Sequence, residues 1–339
     1  MDTFAASKEE VLPSSAARRI FELIESEMKL VEAEFERQAS SNVQVINFLG
    51  DYLRSSGGKR VRPALLVLAT YAVGGNGASE NVIRLAVVME MLHAATLVHD
   101  DIIDNATLRR GRPSVNAQFG NQTAVLMGDW LYMSAFETSL KERSLEILDI
   151  LTRLTRKMTE GELIQLTMLG NSAITKDEYF DILRRKTAYL FSGCCEIGAI
   201  LGGASEREQA ELRDYGMNLG IAFQLADDLL DFTADEKALG KAAGADLIEG
   251  KVTLPLILLQ ERLPEIRPEV ESVISNGGYD GTARESIVAK LGEDGTIDTI
   301  REIALSYADA ARKNLEILPE SEYRFALDEI PNFAVDRNS

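Results

Sequence analysis

The sequence predicts an all-α fold organised as one large domain over residues 1–339, with residues 1–12 as a short tail. Three observations carry this: only eight prolines in 339 residues, few alternating β-branched runs, and apolar stretches that recur with a 3.6-residue period. Length alone suggests about two domains, but no linker divides the chain. Gly74-Gly75-Asn76-Gly77 and Gly202-Gly203 read as inter-helix turns. With 45% hydrophobic residues there is ample material for a large core.

Taken in order, Ser14-Ser15 can cap a helix running to about Gln38. A second covers Val43 to Arg54 and stops at Ser55-Ser56-Gly57-Gly58. The basic segment Lys59-Arg60-Val61-Arg62 follows, and Pro63 opens the next helix at its tolerated first position. The stretch from Ser79 to Asp104 is the most telling, because Leu85, Val88, Met89, Leu92, Thr96 and Asp100 recur on a helical period. At 100° per residue, Met89, His93 and Thr96 fall within about 40° of Asp100 around the axis. A polar loop, Asn105 to Asn116, carries Arg109-Arg110-Gly111-Arg112-Pro113. Helices follow at roughly 115–139, 144–169, 176–201 and 206–231, and a loop bearing glycines and lysines fills 232–251. Beyond Val252 the helices are less distinctive.

Two aspartate clusters of one design stand out: Asp100-Asp101-Ile102-Ile103-Asp104 and Asp227-Asp228-Leu229-Leu230-Asp231. On a helix, carboxylates at i and i+4 share a face, with β-carbons about 6 Å apart. Such like charges raise one another's pKa unless a cation intervenes. Magnesium suits oxygen donors of this kind, since it takes one or two carboxylates and completes its octahedron with waters and substrate phosphates. A single acidic helix end usually reads as a solvated face; the repeated spacing after a buried-looking run reverses that reading. Two clusters far apart in sequence predict opposing helix walls that grip a metal–phosphate group.

The net charge of −18 argues against a nucleic-acid partner, which needs a basic stripe. Phosphate ligands stay compatible with it if bound cations mediate. Basic groups adjoin both acidic clusters: Lys59 and Arg62, Arg109-Arg110, and Lys241 with Lys251. A lysine point charge and an arginine fork three residues apart suit a diphosphate. Adjacent Cys194 and Cys195 cannot form an ordinary disulfide framework and read as core residues of a reduced, cytoplasmic protein. The N-terminus lacks signal-peptide character. The longest apolar stretch, around Ala64 to Val73, is too short to span a bilayer, so no transmembrane segment is expected.

Ordered motifs give the sequence a resemblance to the trans-isoprenyl diphosphate synthases, especially the bacterial long-chain octaprenyl and solanesyl type. They are GGKRVRP, LHAATLVHDDIIDNATLRRGRPS, VLMGDWLY, EGELIQL, RKTAYLF, GIAFQLADDLLDF and GKAAGADLIEGKVTLPL, clearest from Gly57 to Pro255. Trp130 departs from the family's usual Phe and touches no phosphate ligand. The resemblance implies an isoprenoid synthase helical bundle around a deep central apolar cavity. It implies Mg2+ (three ions with substrate bound), isopentenyl and allylic diphosphate substrates, a homodimer, and transient membrane contact for product release.

Residue by residue, the resemblance assigns isopentenyl diphosphate to Lys59, Arg62, His93 and Arg110. It places metal ions on Asp100, Asp104 and Asp227, with Asp101, Asp228 and Asp231 acting through water or orienting the ligands. Arg109, Lys241 and Lys251 fall to the allylic diphosphate, and Lys186, Thr187 and Gln224 to the catalytic allylic site. The implied chemistry is ionisation of the allylic C–O bond with electrostatic stabilisation of the leaving diphosphate. Attack by the isopentenyl π-bond and proton loss follow, in a dry pocket. No nucleophilic side chain is signalled.

In that family the positions four and five before the first cluster form the pocket floor, here Thr96 and Ala95. Both are small, so the resemblance implies a product of octaprenyl length or longer, as for quinone side chains. The helix from Val115 to Ser139 is expected to line the deeper pocket, with Met133, Phe136, Ser139 and Leu140 as candidate floors. The alternatives are a farnesyl or geranylgeranyl diphosphate synthase and a non-catalytic regulatory subunit. Such subunits characteristically lack motifs that this chain retains.

Overall fold

The computed structural model describes residues 15–40, 43, 46, 47, 50, 60–109, 111–233 and 244–335. Two helices, α1 (Ser15–Leu23) and α2 (Glu25–Gln38), replace the single one expected. Between them Ile24 leaves helical geometry at φ −121°, ψ 24°, and its side chain is fully buried. The helix expected over Val43 to Arg54 lies mostly outside the described residues. Arg60 caps α3 (Val61–Ala72) in left-handed geometry, so the helix starts two residues earlier than Pro63 suggested. Pro63 is tolerated because the first four N–H groups of a helix have no intrahelical partner.

Helix α4 (Glu80–Ile103) has the expected limits, with Ser79 at its start and Asp104 at its end. Its 24 residues are long and apolar enough to cross a bilayer, so Ala64 to Val73 is not the longest such stretch. However, 72% of its apolar window is buried inside the fold, as for a helix at the centre of a core. The polar loop holds a minimal antiparallel hairpin, β1 (Leu108–Arg109) and β2 (Arg112–Pro113), with Arg109 opposite Arg112.

The helix expected at 115–139 is broken into α5 (Val115–Phe119) and α6 (Asn121–Ser139) by Gly120, whose φ of 84° only glycine adopts readily. Next, α7 (Leu145–Met168) starts at Ser144, whose hydroxyl accepts the Ile147 N–H. A Thr175/Glu178 capping box opens α8 (Lys176–Leu183). One π-helical turn, Arg184–Ala188, joins it to α9 (Tyr189–Leu201). Helix α10 (Glu206–Thr233) carries the second aspartate cluster near its end. The short α11 (Ala245–Ile248) falls within the expected loop. Then come α12 (Leu254–Arg262), α13 (Arg267–Asn276), α14 (Ala283–Glu293), α15 (Thr296–Asn314) and α16 (Glu322–Val335).

Two apolar clusters form the core. One gathers Leu65 and Leu66 of α3, Leu85, Met89 and Leu92 of α4, and Phe191, Cys194 and Cys195 of α9. Burial pushes both thiols above their ordinary range, so they behave as core side chains. The other sets Leu225, Leu229 and Phe232 of α10 against Leu256, Ile287 and Ile300. Packed on both sides, α4 and α10 bring their acidic ends to one cavity.

Candidate active site

The cavity has a volume of about 820 Å³. Asp100 and Asp104 of α4 stand on its wall, and Asp227 and Asp228 of α10 face it together with Asp246. So do Arg62, His93, Arg109, Lys186, Thr187, Gln224 and Lys251. Lys59, Arg110 and Lys241 lie outside the described residues. The helical face drawn from sequence places His93, Thr96 and Asp100 on the wall, whereas Met89 is enclosed in the core.

Burial drives the Asp100 carboxyl up to about 6, with Glu162 and Asp104 adding to it against the pull of Lys186 and Arg109. Asp101 is turned away and buried; its Oδ1 accepts a hydrogen bond from Arg109 Nε at 2.7 Å and forms an ion pair with Nη2 at 2.6 Å. The middle carboxylate of the first cluster therefore anchors the arginine of the hairpin. Lys251 Nζ lies 2.8 Å from Asp104 Oδ1 and 2.8 Å from Glu249 Oε2. Burial opposes its charge, but the two carboxylates outweigh that and hold the ammonium above the ordinary lysine range.

The second cluster is held by a chain of hydrogen bonds. Thr187 Oγ1 donates to Gln224 Oε1 at 2.8 Å, and Gln224 Nε2 donates to Asp228 Oδ1 at 2.8 Å. Tyr179, on the cavity wall, donates its hydroxyl to Asp228 Oδ2 at 2.5 Å. Burial and then Asp246 raise the Asp228 carboxyl to about 7 despite these donors. Asp231 is buried and accepts the Asp246 N–H at 3.3 Å.

The π turn carries Lys186 and Thr187, and such turns often mark functional sites. Gly161 of α7 allows its close approach, since a β-carbon there would lie 2.5 Å from Arg185 Cβ. Lys186 Nζ consequently reaches Glu162 Oε2 and Gln165 Oε1, each at 2.5 Å.

Among the described residues no group of three or more His, Cys, Asp or Glu side chains could hold a metal ion unaided. The donors are nevertheless the hard carboxylate oxygens magnesium prefers, and a magnesium site normally draws part of its shell from water and phosphate. The residues present fit such an ion.

The lining also includes apolar side chains, among them Leu97, Met158, Ile182, Leu183, Leu190 and Phe223. These come from α4, α7, α8, α9 and α10. No residue of α6 is on the wall, and Met133 and Leu140 are 63% and 50% exposed. The reason is that α6 packs on another face of α4, where a β-carbon at Gly128 would collide with the His99 ring. Ala95 lies one turn before His99 and is fully buried off the wall, whereas Thr96 lines the cavity. Sequence reasoning also misses Tyr179; Glu162 and Gln165 were visible only as part of EGELIQL, and Asp246 only as part of GKAAGADLIEGKVTLPL.

Residues 43–291 match the Polyprenyl synthetase family. The chain belongs to that family. As a polyprenyl synthetase it is 39% identical over 321 residues to the octaprenyl diphosphate synthase of Escherichia coli, covering 94% of this chain and 98% of the relative. It is 37% identical over 291 residues to the geranylgeranyl diphosphate synthase of Methanosarcina mazei, covering 84% and 88%. Its fold is similar to that of the polyprenyl synthase from Caulobacter crescentus complexed with calcium and isoprenyl diphosphate. The TM-score is 0.91 at 36% identity, covering 97% of this chain and 100% of that one.

Proposed function

We propose that this polyprenyl synthetase condenses isopentenyl diphosphate head-to-tail with allylic diphosphates, giving a long-chain all-trans-polyprenyl diphosphate of octaprenyl length or more. One observation carries the reading: two acidic helix ends, a set of cations and an apolar lining meet in a single cavity. Bound at Asp100, Asp104 and Asp227, magnesium supplies Lewis-acid stabilisation to the departing diphosphate. Lys186, Lys251 and Arg109 add fixed positive charge at the same end, and Thr187, Gln224 and Tyr179 hold Asp228 in place. Arg62 and His93, with Lys59, serve the isopentenyl diphosphate. The apolar wall excludes water from the cationic intermediate and accepts the growing chain.

The experiment is incubation with radiolabelled isopentenyl diphosphate, Mg2+ and several allylic primers, followed by separation of products by length. Products of eight or more units are expected. Farnesyl or geranylgeranyl diphosphate alone, under excess isopentenyl diphosphate, overturns the long-chain reading, and no condensation overturns the activity. We also read the chain as a single cytoplasmic domain that forms a homodimer, binds three magnesium ions with substrate present and touches a membrane transiently at product release. The exposed Leu126 and Met133 of α6 support the dimer, being one face of a helix left open to a second copy.

A further inference from the structure

Arg60 has no place in the chemistry above, yet it sits in an unusual environment. Its backbone is left-handed, at φ 46° and ψ 39°, immediately before α3. A residue with a β-carbon stays there only when its surroundings over-determine it. The side chain is 13% exposed, and it binds two other elements. Nε donates to Glu32 Oε1 of α2 at 2.7 Å, and Nη1 donates to Glu90 Oε1 of α4 at 2.8 Å. The guanidinium carbon lies 5.3 Å from the centre of the Phe35 ring, also on α2. Glu90, with its side chain 8% exposed, lines the cavity, as does Arg60 itself.

The positions of these anchors matter. Two residues after Arg60, Arg62 lies in the first turn of α3, stacked 4.8 Å from the Phe191 ring and lining the cavity. Three residues after Glu90, one turn further along the same helix, His93 lines the same wall. The Arg60–Glu90 bond therefore ties together the two backbone segments that present Arg62 and His93. With two carboxylates matched to it, the guanidinium is not a free positive charge for a third anion. Its fork geometry, which lysine cannot reproduce, holds both partners at once.

We propose that Arg60 is a positioning residue for the isopentenyl diphosphate subsite, with Glu90 and Glu32 as its anchors: the triad fixes the start of α3 against α4 so that Arg62 and His93 meet one diphosphate. The inference rests on the proposed assignment of Arg62 and His93 to isopentenyl diphosphate.

The test compares steady-state kinetics and thermal melting for wild type, Arg60→Lys, Arg60→Gly, Glu32→Gln and Glu90→Gln. Arg60→Gly keeps the left-handed turn at ease but removes both anchors. It should raise the KM for isopentenyl diphosphate about ten-fold or more, with the allylic KM changed less than two-fold. Arg60→Lys should behave similarly because it loses the fork. Glu32 is 42% exposed at the outer end, so Glu32→Gln keeps the fold and should give a two- to five-fold rise. Glu90→Gln decides between positioning and direct contact by its sign. Positioning predicts weaker isopentenyl diphosphate binding, whereas a guanidinium that touches phosphate would bind it more tightly once its carboxylate competitor is gone. Lower melting temperatures with both KM values unchanged, equal rises in both, or tighter binding in Glu90→Gln overturn the proposal. A wild type that does not condense isopentenyl diphosphate overturns the underlying function instead.

Discussion

Replacing Asp100 with Asn should make the metal-free protein more stable at neutral pH while destroying its turnover. Burial holds the Asp100 carboxyl at about 6 against an ordinary value of 3.8. The folded state therefore binds more protons than the unfolded state between those values, and stability falls as pH rises through that window. Above pH 6 the whole penalty is in force, and below pH 4 it is absent. A displacement of about two pH units at 1.36 kcal/mol each comes to about 3 kcal/mol. An unfolding entropy of about 2.1 cal/mol/K per residue, over a chain of this length, converts that to about 4 °C in melting temperature. The assay is thermal melting in excess chelator at pH 8 and at pH 4, for wild type and Asp100→Asn. The variant should melt about 4 °C higher at pH 8 and together with wild type at pH 4. Magnesium should stabilise wild type more than the variant, because only wild type has a charge there to neutralise. A variant that gains nothing at pH 8, or gains equally at both pH values, would show that the buried charge is not the source.

Three further outcomes follow from the same geometry. Asp227→Ala, or excess chelator on the wild type, should lower turnover by at least two orders of magnitude with the helical circular dichroism unchanged; full activity in chelator refutes the metal reading. Tyr179→Phe removes a donor from buried Asp228 and should cost about 1–3 kcal/mol of stability with a roughly ten-fold loss of kcat, measured by denaturant melts and product release; kinetics like the wild type's would remove Tyr179 from the site. Thr96→Phe, on the cavity wall, should shorten the product sharply, whereas Ala95→Phe should chiefly overpack the core at about 1–3 kcal/mol; product-length analysis beside melting curves separates the two, and an unchanged product from Thr96→Phe refutes the assignment.

Much of the site was legible because its signals are local. Carboxylates at i, i+1 and i+4 declare a shared helix face wherever they occur, and the His93, Thr96, Asp100 stripe needs only 100° per residue. That stripe also separates Thr96, which lines the cavity, from Ala95, about 140° from Asp100 around the helix and buried in the core. The helix limits at Ser79 and Asp104 follow from patterning alone. What escaped depends on partners distant in sequence. Tyr179 gains a role only because α8 lies beside α10, 49 residues away at Asp228. The break at Ile24 arises in a stretch whose composition remains helical, so no local cue marks it. The π turn is likewise invisible in the residues Arg184–Ala188, and the Gly161 it packs against lies more than twenty residues earlier.

Both aspartate clusters occupy the closing turns of their helices, α4 and α10. A helix ends in unsatisfied carbonyls equivalent to roughly half a negative charge. These partial charges add to the pull that the carboxylates exert on a divalent cation, beside the fixed positive charges of Arg109, Lys186 and Lys251. On the acidic side a bare diphosphate is repelled, whereas a divalent cation is drawn in. On the proposed assignment, helix polarity would favour an allylic diphosphate that enters with its metal or after it. The isopentenyl diphosphate, on the proposed assignment to Arg62 and His93, would dock without one.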